Sequence, residues 1–225
     1  MTLRVYYGGT FDPVHAGHLS VAREVRDALD AVVYFVPAAD PPHKDLTHAD
    51  ANARARMLDL ATAGERNLKV DRRELQREGP SYTVDTLREL RAELGSETPL
   101  VWMIGGDSLL QLHTWNRWRE LFDLAHVLVV ARPGSHLEPT AVATRASEVE
   151  AEIGPRRREA SRLVETPAGG LAVFALQRER PESSTDLRHR IAEGDPWQEG
   201  VPAAVAEYIR RHGLYLVRGV TPASL

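Results

Sequence analysis

Short apolar runs separated by amphipathic helical patterns are the feature that most constrains the fold of this 225-residue chain. Strands that are buried on both faces of a parallel sheet are apolar almost throughout, and they favour β-branched residues. Five runs have this character: Leu3–Tyr7, Val32–Val36, Leu68–Val70, Leu100–Ile104 and Val127–Ala131. The stretch GLAVFAL at 170–176 predicts a sixth strand.

Helical patterns lie between these predicted strands. In VDTLRELRAEL, Val84, Leu87, Leu90 and Leu94 recur at helical spacing and give one apolar face. The stretches LSVAREVRDAL and ARARMLDLAT behave similarly. Alternating strands and helices predict an α/β fold with a doubly wound, mainly parallel, Rossmann-like sheet. Ligands of such sheets bind beyond the carboxyl ends of the strands, where the strand order reverses.

The second half of the chain predicts further helices and no second domain. Residues 134–170 predict helices with a break at Gly154–Pro155. The last 40 or so residues predict two helices and a short tail. We therefore expect one domain over residues 1–225, with a small C-terminal helical part at about 183–216.

The composition excludes several classes of protein. The formal net charge is −4, which disfavours a general nucleic-acid binder, and the chain has no cysteine for disulfides or thiolate chemistry. The N-terminal MTLRVYYGG does not have the pattern of a signal peptide, and no apolar run approaches the ~20 residues of a membrane span. We expect a cytoplasmic protein without nucleic-acid or membrane partners. A homo-oligomer remains open.

The loop after the first predicted strand, YYGGTFDPVHAGHL at 6–19, carries the chemistry. Gly8 and Gly9 predict a sharp turn with accessible backbone N–H groups, and Thr10 adds a hydroxyl. A helix is expected to begin near Val14 to Gly17, so its positive N-terminal end would form a phosphate site.

Two histidines, His15 and His18, share one side of that first helical turn because they are three residues apart. Imidazoles can donate hydrogen bonds to phosphate oxygens as charge builds in a transition state. A zinc site is disfavoured, since metalloprotease histidines are four apart with an adjacent glutamate, whereas Ala16 follows His15. The G-x-S-x-G elbow, the P-loop and the G-x-G-x-x-G fingerprint are all absent from the sequence.

The stretch GGTFDPVHAGH matches the GGTFDPxHxGH signature of the HxGH nucleotidyltransferase superfamily. Within it, the chain resembles the bacterial nicotinate-nucleotide adenylyltransferases. Further stretches agree in order along nearly the whole chain: PAADPPHK (37–44), PSYTVDTL (80–87), IGGDSL (104–109), TWNRWREL (114–121) and SSTDLR (183–188).

The resemblance implies adenylyl transfer from ATP to nicotinate mononucleotide, with deamido-NAD and pyrophosphate as products. It implies Mg²⁺ held mainly by the ATP phosphates, no metal site made by the protein, and no covalent enzyme intermediate. The mononucleotide phosphate is the nucleophile in that reaction. The protein would therefore supply positioning and charge stabilisation.

The resemblance also implies roles for individual residues. Four would be catalytic: His15, His18, Lys44 and Arg188. The implied ATP-binding residues are Gly8, Gly9, Thr10, Phe11, His15, His18, Gly105, Asp107, Ser183, Ser184, Thr185 and Arg188. The implied nicotinate-mononucleotide residues are Lys44, Tyr82, Thr83, Val84, Trp115 and Asn116. Trp115 would stack on the pyridine ring, whereas Trp118 is the better candidate for the core.

The sequence departs from the family pattern at two positions. Glu182 occupies a position that is usually apolar, and Asn116 replaces an aromatic residue, so its contact would be through the backbone. The nicotinamide-accepting version of the same reaction stays open, because a sequence does not show backbone amides. A phosphopantetheine adenylyltransferase and a non-catalytic nucleotide sensor are further alternatives. The presence of His18, Lys44 and Arg188 disfavours the sensor.

Overall fold

A six-stranded parallel sheet forms the centre of the computed structural model, which describes residues 2–39, 48–131, 134–177 and 181–216. The strands are β1 (Arg4–Gly9), β2 (Val32–Pro37), β3 (Leu68–Val70), β4 (Leu100–Gly105), β5 (His126–Ala131) and β6 (Leu171–Ala175). Their order is β3-β2-β1-β4-β5-β6, and each neighbouring pair is parallel. The predicted doubly wound sheet is confirmed, and its order reverses between β1 and β4.

Helices cover both faces of the sheet. They are α1 (Ala16–Leu29), α2 (Ala51–Thr62), α3 (Thr83–Leu94), α4 (Gly106–Leu110), α5 (Leu121–Leu124), α6 (Pro139–Arg145), α7 (Ser147–Ile153), α8 (Ser184–Glu193) and α9 (Ala203–His212). Short 3-10 turns lie at Arg73–Gln76, Leu112–Thr114, Trp118–Glu120, Gly154–Arg156, Ala160–Glu165 and Gln198–Gly200.

Alternate residues of each strand feed two apolar cores, one on each face of the sheet. Val5 of β1 points into the core that includes α1, α2 and the C-terminal helices, whereas Tyr6 joins the core under α3. Leu187 of α8 and Ile209 of α9 belong to the first core. The C-terminal helical part is therefore packed on the sheet through shared apolar burial.

The segment 134–170 is helical, as predicted, and it is broken more often than expected. Helix α7 ends at Ile153 and a 3-10 turn begins at Gly154, so the predicted break is confirmed. A second break separates α6 from α7 at Ala146, whose backbone is non-helical at φ −152°. In the described ranges, no helix is long and apolar enough to cross a membrane.

Candidate active site

Gly8 and Gly9 are the last residues of β1, where they pair with β2. The expected glycine turn is therefore wrong. A Cβ built on Gly8 would lie 2.4 Å from Trp102 Cζ2, and one on Gly9 would lie 2.9 Å from Phe11 Cζ. Glycine is required because aromatic rings approach this backbone closely, a tertiary constraint that local sequence does not reveal.

The chain turns two residues later, at Phe11. Its φ is 52°, in the left-handed region, and the Asp12–Pro13 peptide bond is cis. The Phe11 ring is buried and packs edge-on against Tyr7 and Phe35, with ring centroids 5.3 and 5.4 Å apart. This packing holds the turn, leaves Thr10 exposed, and brings the chain to the start of α1.

His15 and His18 cap the N-terminus of α1 reciprocally. His15 Nδ1 accepts a hydrogen bond from the His18 backbone N–H, and His18 Nδ1 accepts one from the His15 backbone N–H, each at 3.3 Å. The two rings stack with centroids 3.6 Å apart. Because both Nδ1 atoms act as acceptors, the neutral rings carry their proton on Nε2. Two Nε2–H groups therefore lie side by side at one helix end.

Two backbone groups add to this positive end. Within the described residues, the N–H groups of Ala16 and Gly17 find no acceptor, because the first helical bond is from Leu19 to the His15 carbonyl. The first turn of α1 contains no acidic residue. A free helix N-terminus with imidazole donors beside it has the chemistry of a phosphate site.

Helix α8 is tied to the same loop from the far end of the chain. Ser184 Oγ donates to the Pro13 carbonyl at 3.0 Å, and Arg188 Nη1 donates to the Asp12 carbonyl at 2.6 Å. Ser183 caps α8 by accepting from the Asp186 N–H, while Arg188 Nη2 donates to Thr185 Oγ1 at 3.3 Å. The structure thus brings the SSTDLR residues to the histidine loop.

A cavity of about 330 Å³ opens between the carboxyl ends of β1, β4 and β5. Gly105 and Asp107, both exposed, line it at the β4–α4 junction. The opposite wall comes from the loop 134–137 and from Arg145 of α6. The sequence analysis assigned no role to residues 134–170, and no motif there pointed to this wall.

The N-terminus of α3 is the second open helix end at these loops. Tyr82 is its N-cap, has no side-chain capping bond and is 45% exposed. Within the described residues, the N–H groups of Thr83 and Val84 find no acceptor, since the helical bonds begin with Asp85 and Thr86. The Val84 side chain is fully buried, so only its backbone is available to a ligand.

The two tryptophans of TWNRWREL have different environments. Trp118 is buried at 5% exposure and belongs to the core, as predicted. Trp115 is half-buried, with one part packed on that core, and the adjacent Asn116 is exposed. A partly open indole keeps surface for a stacking contact.

Lys44 lies outside the described residues, as do residues 40–43 of the PAADPPHK stretch. Two residues missed by the sequence analysis, Arg54 and Tyr215, hold the described part of the site together with Asp12 of the GGTFDPVHAGH stretch. An arginine at position 54 falls on the apolar face of α2 together with Leu58 and Ala61. A charged residue on that face is the signal that could have identified Arg54.

The fold is that of a nucleotidyltransferase. A family model described as cytidylyltransferase-like matches residues 6–190, so the chain belongs to the cytidylyltransferase-like family. A Stenotrophomonas maltophilia protein named "Probable nicotinate-nucleotide adenylyltransferase" is 47% identical over 228 residues, which cover 99% of this chain and 100% of the relative. A Marinobacter nauticus protein of the same name is 43% identical over 224 residues, covering 97% and 99%. Within the larger family, the chain therefore belongs to the nicotinate-nucleotide adenylyltransferases.

A solved structure shares the fold. Plasmodium falciparum nicotinic acid mononucleotide adenylyltransferase complexed with NaAD aligns with a TM-score of 0.71 at 14% sequence identity. The alignment covers 96% of this chain and 98% of that chain. At this identity the similarity shows the architecture alone.

Proposed function

We propose that this chain transfers the adenylyl group of ATP to nicotinate mononucleotide, giving deamido-NAD and pyrophosphate. The observation that carries the proposal is the stacked His15–His18 pair at the open N-terminus of α1. Arg188 is attached to the loop just before that pair. The names and full-length identity of the relatives support the same reaction.

In the proposed reaction, a phosphate oxygen of nicotinate mononucleotide attacks the α-phosphorus of ATP. A new O–P bond forms while the bond from that phosphorus to the bridging oxygen of the β-phosphate breaks. Pyrophosphate leaves with the electron pair. The attacking phosphate is already ionised at neutral pH, so the protein needs no general base.

The protein stabilises the charge that develops on the triphosphate. We assign the Nε2–H donors of His15 and His18 to the ATP phosphates, with His18 beside the α-phosphate. Lys44 would add a compact positive charge and Arg188 a guanidinium fork. The backbone of Gly8–Phe11 and the Thr10 hydroxyl would hold the same phosphates.

The adenosine half of ATP is assigned to the cavity at the switch point. Asp107 would accept hydrogen bonds from the ribose hydroxyls, and Gly105 leaves room for the ligand. Ser183, Ser184 and Thr185 at the start of α8 would contact the adenylate. Within the described residues, the N–H groups of Ser184 and Thr185 have no acceptor, which suits an anionic ligand there.

The mononucleotide is assigned to the region at the start of α3. The N–H groups of Thr83 and Val84, which have no acceptor among the described residues, would receive the pyridine carboxylate, with Tyr82 beside them. Trp115 would stack on the ring and the Asn116 backbone would complete the contact. A neutral carboxamide gains less from a positive helix end than a carboxylate does. We therefore propose nicotinate over nicotinamide selectivity.

A divalent cation, which we propose to be Mg²⁺, would enter on the ATP phosphates. Asp107 is the one carboxylate among the described residues that line the cavity, and backbone N–H groups occupy both histidine Nδ1 atoms. This donor set fits a cation held mainly by substrate oxygens. When bound, such a cation would neutralise phosphate charge. We further propose that residues 1–225 form one nucleotidyltransferase domain that acts in the cytoplasm.

Measuring pyrophosphate release tests the proposal. ATP and Mg²⁺ are supplied in parallel with nicotinate mononucleotide, nicotinamide mononucleotide or phosphopantetheine as the acceptor. Nicotinate mononucleotide should give the highest kcat/KM. Equal use of nicotinamide mononucleotide would keep the reaction and remove the carboxylate site at Thr83. Activity only with phosphopantetheine would contradict the assignment of the α3 region. No release with any acceptor, together with measurable ATP binding, would favour a nucleotide sensor.

A further inference from the structure

Arg54 is a fully buried arginine in the first turn of α2. Its Nη1 donates to the Thr10 carbonyl at 2.7 Å, and its Nη2 donates to the Ala38 carbonyl at 2.7 Å. Its Nε donates to the Ala49 carbonyl at 3.2 Å. One planar group therefore joins the loop after β1 to the loop after β2.

We infer that Arg54 is a positioning residue for adenylyl transfer, which fixes the loop after β1 against the loop after β2. The inference rests on the proposed function, and it adds a residue that does not itself touch a substrate. The loop after β1 leads into His15 and His18. The Thr10 carbonyl that Arg54 holds lies five residues before His15, so Arg54 fixes the backbone that carries both imidazoles.

The chemistry of the contact requires arginine. Three backbone carbonyls converge on one side chain: that of Thr10 after β1, and those of Ala38 and Ala49 from the two ends of the connection between β2 and α2. A guanidinium presents donors in a rigid plane and can serve all three acceptors, whereas the ammonium of lysine is a compact group on a flexible stem. The bond to the Ala49 carbonyl is buried, so loss of that donor leaves a buried acceptor without its partner at a cost in stability.

The carboxylate of Asp12, the residue after Phe11, also connects the loop after β1 to the residues just before α2. Its Oδ2 accepts from the His48 N–H at 2.9 Å. Its Oδ1 accepts from the Ala49 N–H at 3.2 Å and from the Tyr215 hydroxyl at 2.7 Å. Burial and the nearby Asp12 carboxylate raise the pKa of Tyr215, so its phenol stays a donor.

This geometry predicts an effect on turnover that exceeds the effect on ATP binding. Among the described residues, Arg54 and its acceptors do not line the cavity assigned to the adenosine half of ATP, so that part of the ATP site remains. The transition state also needs the His15 and His18 donors at a fixed distance from the α-phosphate. Misplacement of a catalytic group by about 1 Å can cost roughly 10²-fold in rate. Loss of Arg54 should therefore lower kcat more than it weakens ATP binding.

Arg91 provides a matched control at the opposite end of the sheet. It also donates to backbone carbonyls, those of Thr98 at 2.7 Å, Leu124 at 3.1 Å and Pro167 at 3.0 Å. These acceptors precede β4, β5 and β6, so they lie at the amino ends of the strands. Arg91→Met removes a comparable structural tie that is remote from the substrate loops.

The test compares Arg54→Met, Arg91→Met and Tyr215→Phe with the wild type. The readouts are Tm, the Kd for ATP and kcat with nicotinate mononucleotide. Both methionine variants should lower Tm. Of these two, Arg54→Met alone should lower kcat, by about 10- to 100-fold, with the Kd for ATP changed by less than about threefold. Tyr215→Phe should lower kcat in the same direction by a smaller factor.

A folded Arg54→Met variant with kcat within about twofold of wild type would overturn the inference. So would an equal loss of kcat in Arg91→Met. If Arg54→Met does not fold, folded Arg54→Lys decides the matter: reduced kcat supports the inference, and full kcat overturns it. An inactive wild type would overturn the proposed function, and this inference with it. An active wild type with fully active variants would overturn the inference alone.

Discussion

Arg188 donates a 2.6 Å hydrogen bond to the carbonyl of Asp12, although the two residues are 176 positions apart. The bond joins α8 to the turn from which α1 begins. Ser184 makes a parallel connection to the next residue of that turn, Pro13. The histidine loop and the SSTDLR stretch, which contact the same ATP phosphates in our proposal, therefore form one unit before any ligand binds.

Replacing His18 by alanine should lower kcat while leaving the protein folded. Loss of one preorganised donor to a developing negative charge typically costs about 10²–10³ in kcat. The same change removes the acceptor for the His15 N–H, and loss of such a cap costs roughly 1 kcal/mol of stability. Steady-state kinetics and a thermal unfolding curve measure the two effects separately.

His212→Ala, at the exposed end of α9, is the control for the His18 substitution. It should keep the wild-type kcat. Near-wild-type turnover of His18→Ala would contradict the assignment of His18 to the α-phosphate.

Trp115 and Trp118 should separate substrate binding from stability. Trp115→Ala should raise KM for nicotinate mononucleotide by an amount that corresponds to about 1–3 kcal/mol, if base–aromatic stacking energies apply to the pyridine ring. Trp118→Phe should instead lower Tm, because Trp118 lies in the core. An unchanged KM in Trp115→Ala would place that indole in the core as well.

Acidification should destabilise the fold through His126. This residue is fully buried at the start of β5, where Nδ1 accepts from the Gly170 N–H at 2.9 Å and Nε2 lies 2.7 Å from the Thr166 carbonyl. Burial lowers the pKa of His126 below its ordinary value. In the unfolded chain the ring has an ordinary pKa of about 6.5 and binds a proton below that pH. The His126 contribution to folding stability is therefore present above the unfolded pKa and falls as the pH drops through about 6.5 toward the lower folded pKa.

Urea unfolding of the wild type and of His126→Asn between about pH 5 and 7.5 measures this contribution. The variant should show a shallower dependence of the unfolding free energy on pH. Identical slopes in the two proteins would exclude His126 as a source of acid sensitivity.

Glu182 should be a site where substitution increases stability. Its Oε2 is buried and is the one such side-chain oxygen without a hydrogen-bond partner in the described ranges. It lies beside α1, 3.5 Å from a Cβ built on Gly17. An unsatisfied buried oxygen costs about 1–3 kcal/mol, so Glu182→Ile should raise the free energy of unfolding by roughly 1 kcal/mol. Chemical denaturation is the measurement, with exposed Glu199→Ile as the control. A loss of stability in Glu182→Ile alone would show that the carboxylate has a favourable role.

The sheet was predictable because the buried strands are continuous apolar runs in the sequence. Val32–Val36 and Val127–Ala131 are apolar throughout, which indicates strands covered on both faces. The start of α1 was also predictable, and the structure places His15 at its N-cap. These features depend on local pattern and spacing.

The errors arose where distant residues decide the local structure. The sequence indicated a turn at Gly8. Glycine is required there because the Trp102 ring on the neighbouring strand leaves no room for a side chain. A charged residue on the apolar face of α2 marks Arg54 as unusual, but its acceptor at Thr10 lies 44 residues away, and the acceptor of Tyr215 lies 203 residues away. No local pattern encodes a carbonyl or carboxylate that only the fold brings into reach.

The most direct test of the central claim follows the α-phosphorus of ATP. The protein is incubated with α-labelled ATP, Mg²⁺ and nicotinate mononucleotide, and the products are separated. The account predicts that the label appears in a dinucleotide, matched by one equivalent of unlabelled pyrophosphate, with none bound to the protein. Label that stays in ATP, or that is trapped on the protein during turnover, would contradict direct adenylyl transfer.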